Sequence, residues 1–122
     1  MTIYARTATG PRPLEVYQGE DSLIPLTLSS DISTATEVEL TIDCYPQIVK
    51  TLSGASISAV TSTGFSFQLA ASDTADVKPG SYRYGARATI AGSISQIKPV
   101  SDLIRILPSV FENSRTVLDY GG

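Results

Sequence analysis

The chain has no histidine, no tryptophan, one cysteine and one methionine in 122 residues. Without histidine there is no Ser-His-Asp triad, no HExxH zinc helix and no imidazole metal ligand. Cys44 alone cannot close an internal disulfide, so nothing points to an oxidising compartment. A nucleophilic role would need an activating base, most often the missing histidine. Cys44 therefore reads as a small apolar residue buried at a strand end. Nine basic residues stand against twelve acidic ones, for a net charge of −3. The basic residues are scattered singly, so the electrostatic footprint of a nucleic-acid binder is missing. The first residues carry no apolar stretch of the kind that opens a signal peptide, and no apolar run approaches a membrane span. The nine glycines are dispersed among turns, so no phosphate-cradling loop is present. No cofactor, no nucleic-acid partner and no membrane partner is expected.

What remains is a β pattern. The length fits one domain, and a composition 42% hydrophobic and 17% charged is that of a globular protein. Ala71–Ile90, ASDTADVKPGSYRYGARATI, is the clearest stretch: a polar turn, Pro79-Gly80, then strict alternation. Tyr82, Tyr84, Ala86, Ala88 and Ile90 fall on one face, and Arg83, Gly85, Arg87 and Thr89 on the other. Successive strand side chains point to opposite sides, so one face is buried and the other wet. Glu37–Asp43 repeats the pattern, with Val38, Leu40 and Ile42 inward. Leu14–Tyr17, Ser22–Leu28, Gln47–Leu52, Ala55–Thr61 and Phe65–Leu69 are further strands. Ser29–Thr36 reads as a polar turn, and Ala91-Gly92-Ser93 as a tight turn into a long strand, Ile94–Leu107. That strand changes parity near Pro99, which marks a bulge or a break. Pro25 removes a ladder donor from Ser22–Leu28, the mark of an edge or a local interruption.

These are seven or eight short strands with turn signals between them and no long helix, the pattern of an antiparallel β-sandwich. Residues 14–107 form the sandwich domain. Residues 1–13 read as an extended N-terminal arm, and residues 108–122 as a C-terminal tail in which Ser109–Leu118 has room for two helical turns. Tyr82, at the start of a late strand behind a polar turn, has the position of a tyrosine corner, whose hydroxyl bonds back to the turn. With no tryptophan, and Tyr84 where an antibody domain carries its second cysteine, an immunoglobulin-like sandwich would not be of antibody type.

No residue qualifies for a catalytic, cofactor-binding or metal-binding role. The carboxylate pairs Glu20/Asp21, Glu37/Glu39 and Asp73/Asp76 are the only acid/base candidates. Each falls in a turn or on a wet strand face, where carboxylates are solvated or cap turns. The acidic face of Glu37–Asp43 and the DTAD turn also contain hard oxygen donors, but not the dense Asp/Asn/Gly spacing of a dedicated calcium loop. Of the six tyrosines, Tyr82 and Tyr84 belong to the core face and the others are isolated.

Two segments, QGEDSLIPLTLSSDISTATEVELTI (18–42) and GFSFQLAASDTADVKPGSYRYGARATI (64–90), carry a resemblance. Their order of Gly-Glu-Asp before an apolar strand, F-x-F-x-L, and D-T with P-G-x-Y resembles the immunoglobulin-like structural modules of tailed-phage virions. The resemblance implies a non-enzymatic structural protein of the virion, in capsid decoration (cement) or at the head-to-tail neck. Its implied partners are other virion subunits, met through the terminal arms, with the chain present as a homo-oligomer in the particle. A tail-fibre or baseplate adaptor, and a carbohydrate-binding or host-surface module, are the alternatives.

Overall fold

The computed structural model describes residues 2–7, 10, 12–58 and 60–109. Among them run ten strands and one helical turn. The strands are β1 (Thr2–Arg6), β2 (Leu14–Tyr17), β3 (Ser22–Leu28), β4 (Glu37–Ile42), β5 (Ile48–Thr51), β6 (Ile57–Ser58) and β7 (Gly64–Leu69). After the turn α1 (Ala71–Thr74) come β8 (Gly80–Ile90), β9 (Ser93–Pro99) and β10 (Leu103–Leu107). The fold is all-β and sandwich-like. The path of pairing is β2-β10-β8-β9-β1-β3-β7-β6, with the β4–β5 hairpin attached to β8.

β8 organises this arrangement. Residues 80–83 pair with β10, while residues 84–89 pair with β4 and residues 86–90 with β9. Eleven residues of alternating pattern make a strand long enough to serve both. The inward faces from both ends of the path meet in one apolar cluster. Val16, Ile104 and Ile106 come from the β2–β10 side, and Phe65, Phe67 and Leu69 from β7. Val38, Leu40 and Ile42, the inward positions of β4, are fully buried.

The expected long strand 94–107 is two strands. β9 ends at Pro99, and the chain crosses from pairing with β1 and β8 to pairing with β2 and the start of β8. Buried positions move from Ser95 and Ile97 to Ile104 and Ile106, the parity change seen in the sequence. Pro99 has no N–H to offer the β8 ladder, which is why the interruption falls there. Pro25 sits within β3, opposite Ser66 of β7. On its other side β1 reaches only Thr27 and Leu28, so no ladder donor is missed.

For Thr2–Arg6 the expectation of an arm is corrected. Thr2–Arg6 is a strand between β9 and β3, parallel to the first and antiparallel to the second. Ile3 and Ala5 are completely buried. Two apolar side chains at alternate positions, with a ladder on each side, outweigh the entropy of ordering five residues. Of the strand expected over Ala55–Thr61, the structure describes Ile57–Ser58 as extended, and Ala55 takes a left-handed backbone (φ 63°) that keeps the run from starting there. The polar stretch Ser29–Thr36 conceals Ile32, whose side chain is a fully buried plug. The helical turns expected over Ser109–Leu118, and with them the tail, lie outside the described residues from 110 onward.

Candidate functional site

Residues 18–42 and 64–90 are clamped together at one end of the sandwich. Beyond the β3–β7 ladder, which runs from Ser22 opposite Leu69 to Thr27 opposite Gly64, their turns bond to each other. The Gln18 side-chain amide donates to the carbonyls of Ala75 (3.2 Å) and Val77 (2.8 Å). Gly19 N–H donates to the buried Thr74 hydroxyl (2.9 Å), and Ala71 N–H to the Asp21 carboxylate (2.8 Å). Asp73 accepts from the backbone N–H of Ala70 at the start of α1 and pairs with the Lys50 ammonium (2.5 Å). Lys50 lies opposite Leu40 on the inward side of β5, so its stem is packed and its charge emerges only at this end.

The structure therefore places the carboxylate pairs apart in role. Asp21 and Asp73 accept from backbone donors of the α1 turn, while Glu20 and Asp76 are exposed. Glu37 accepts from the Ser53 hydroxyl and amide, and these bonds hold its carboxyl below the usual carboxylate range. Glu39 pairs with Arg87 at 3.0 Å across the β4–β8 ladder. Among the described residues no group of three acidic or thiol side chains is placed to hold a metal ion. No helix among them is long and apolar enough to cross a membrane. Cys44 is buried, its thiol donates to the Pro46 carbonyl at 3.3 Å, and burial raises its pKa. A thiol kept protonated is a poor nucleophile.

The tyrosines divide. Tyr4, Tyr17 and Tyr45 are exposed, and Tyr120 lies outside the described residues. The Tyr82 hydroxyl donates to the Lys78 carbonyl, four residues back across the Pro79-Gly80 turn, which is the bond a tyrosine corner makes. Tyr84 is buried, and its hydroxyl meets no partner. Burial, with a smaller contribution from the Asp102 carboxylate, pushes its pKa up from 10 to about 12.

These two hydroxyls predict opposite results. Tyr82→Phe loses one hydrogen bond and is expected to cost about 1 kcal/mol in urea denaturation. An unchanged curve would remove the corner. Tyr84→Phe removes an unpaired buried hydroxyl and is expected to be neutral or stabilising by about 1 kcal/mol. The same group carries a pH signature. Its folded pKa lies above the unfolded value, so the folded state holds the proton more tightly. Its contribution is whole below pH 10 and is lost between pH 10 and about 12. Thermal melts across that window are expected to fall less steeply for Tyr84→Phe than for the parent. Parallel curves for the two proteins would contradict this.

A cleft of about 620 Å³ lies on the outward face of β4, β8 and β9. Its floor is Gly85, where an added Cβ would meet nothing within 4 Å. Thr41 stands opposite Gly85 on β4, and the Glu39–Arg87 pair crosses one step along, where Gln96 faces Arg87 from β9. Lys98, Pro99, Val100 and Asp102, where the chain leaves β9 for β10, form the wall. The alternation of β8 places Gly85 and Arg87 on a wet face, but the wall comes from a later part of the chain. Neither a protein-family model nor a curated protein matches the chain.

Proposed function

We propose that the chain is a non-enzymatic structural protein of a tailed-phage virion, serving in capsid decoration or at the head-to-tail neck. The observation that supports this reading is the clamp between the two resembling segments. Their polar side chains, Gln18, Asp21, Asp73, Thr74 and Tyr82, each bond to backbone of a neighbouring turn, and Asp73 also pairs with Lys50. Pattern residues engaged in this way build a rigid end to a sandwich, and rigidity is what a repeated lattice component needs. The Tyr82 bond also supports reading the sandwich as immunoglobulin-like.

Because Thr2–Arg6 belongs to the sheet, an N-terminal arm formed by that segment is not the route to neighbours. β5 pairs only with β4, and β2 only with β10, among the described strands. Each presents an edge to which a virion subunit can add a strand. Val49 on β5 and Tyr17 on β2 are exposed large apolar side chains on those edges. The test is composition of purified particles. A fixed ratio of this chain to the major capsid subunit supports decoration, and a small fixed number per particle supports the neck. Its absence from purified virions would overturn the proposal.

A further inference from the structure

We infer that the cleft floored by Gly85 is a binding site for a neutral oligosaccharide. The inference stands on the cleft alone and does not depend on the virion reading.

The charges on its lining cancel: Glu39 and Asp102 against Arg87 and Lys98. An anionic ligand would meet two carboxylates and a cationic one two cations, so neither is favoured. A sugar hydroxyl both donates and accepts, and it is best met by donors and acceptors set side by side. The cleft supplies them. Asp102 accepts, Lys98 donates, Thr41 and Gln96 do both, and Glu39 and Arg87, paired with each other at 3.0 Å, keep further lone pairs and N–H groups. Lys98 is exposed and makes no ion pair among the described residues, so its three donors are open to a ligand.

The shape fits the same ligand. A glycine in a strand gives up packing, and here the missing side chain leaves open space that a sugar ring can occupy. An aromatic face stands on the same outward side. Tyr4 of β1 lies beside Lys98 in the ladder and is 58% exposed. Its ring offers an apolar surface to the C–H face of a sugar bound along the strands, at little entropic cost.

The experiment is a titration of the full ¹⁵N-labelled chain with four neutral probes: maltohexaose, cellohexaose, xylohexaose and chitohexaose. Polygalacturonate serves as the anionic comparison. At least one neutral probe is expected to shift the backbone amides of Thr41, Gly85, Arg87, Gln96 and Lys98 in a saturable way at millimolar concentration. Gly85→Leu fills the floor without meeting another atom at its Cβ, so the variant is expected to fold and to lose at least about tenfold in affinity. Tyr4→Ala, at an exposed position, is expected to weaken binding while leaving the melting temperature unchanged. No response to any neutral probe, preference for polygalacturonate, or unaltered binding by a folded Gly85→Leu would each overturn the site.

Discussion

A chain lacking residues 2–6 is expected not to fold. β1 is the strand that joins the β8–β9 side of the sheet path to the β3–β7 side. Without it, four ladder positions on β9 and the end of β3 lose their partner, and the inward space of Ile3 and Ala5 is left empty. A single-domain protein is stable by only about 5–15 kcal/mol. Ile3→Ala alone, at a fully buried position, is expected to cost about 3–4 kcal/mol. Loss of the whole strand adds exposed backbone donors and acceptors to that cavity. Amide dispersion in a ¹⁵N spectrum of the deletion variant, and urea denaturation of Ile3→Ala, measure the two effects. A deletion variant with the parent's dispersed spectrum would show β1 to be dispensable.

The second large effect belongs to Gly64. It opens β7 directly against β3, and a Cβ built on it would lie 1.9 Å from the Leu26 carbonyl oxygen and 3.0 Å from its carbon. Both atoms are backbone, so no side chain can rotate away. Gly64→Ala must push β3 from β7 at a point where Phe65 and Leu26 face each other in the core. The expected cost is at least about 3 kcal/mol, in the range reserved for strain and core disruption. Gly85→Ala is the matched comparison, since its Cβ meets nothing within 4 Å. It is expected to be neutral or slightly stabilising, through the smaller freedom of the unfolded chain. Urea midpoints for the two variants measure the contrast. Equal midpoints would mean that β3 and β7 have room to spare.

Residues whose partners lie close along the chain, or whose pattern runs long, are legible in the amino-acid sequence itself. β4, β7 and β8 declare themselves by alternation, and the Pro79-Gly80 turn fixes Tyr82 where its hydroxyl reaches Lys78. The parity shift around Pro99 marks the break between β9 and β10. Short or isolated features stay hidden. Thr2–Arg6 shows only two inward positions, too few for a period, and its main partner, β9, lies at the far end of the described chain. Ile32 stands alone in a polar run, so nothing local distinguishes a buried plug from a loop residue. The cleft is half legible. Alternation puts Gly85 and Arg87 on a wet face, but a wet face becomes a cleft only when the Pro99–Asp102 crossing walls it.

The parallel pairing of β1 with β9 has a mechanical consequence. Tension applied at the two termini draws β1 toward its own start and β9, through β10, toward its end. Adjacent parallel strands pulled in opposite senses are sheared, so the ladder from Thr2–Gln96 to Ala5–Pro99 is loaded all at once rather than peeled bond by bond. Resistance to such pulling is set by the unfolding rate rather than by equilibrium stability. A single-molecule extension of this chain should therefore rupture at high force in one step.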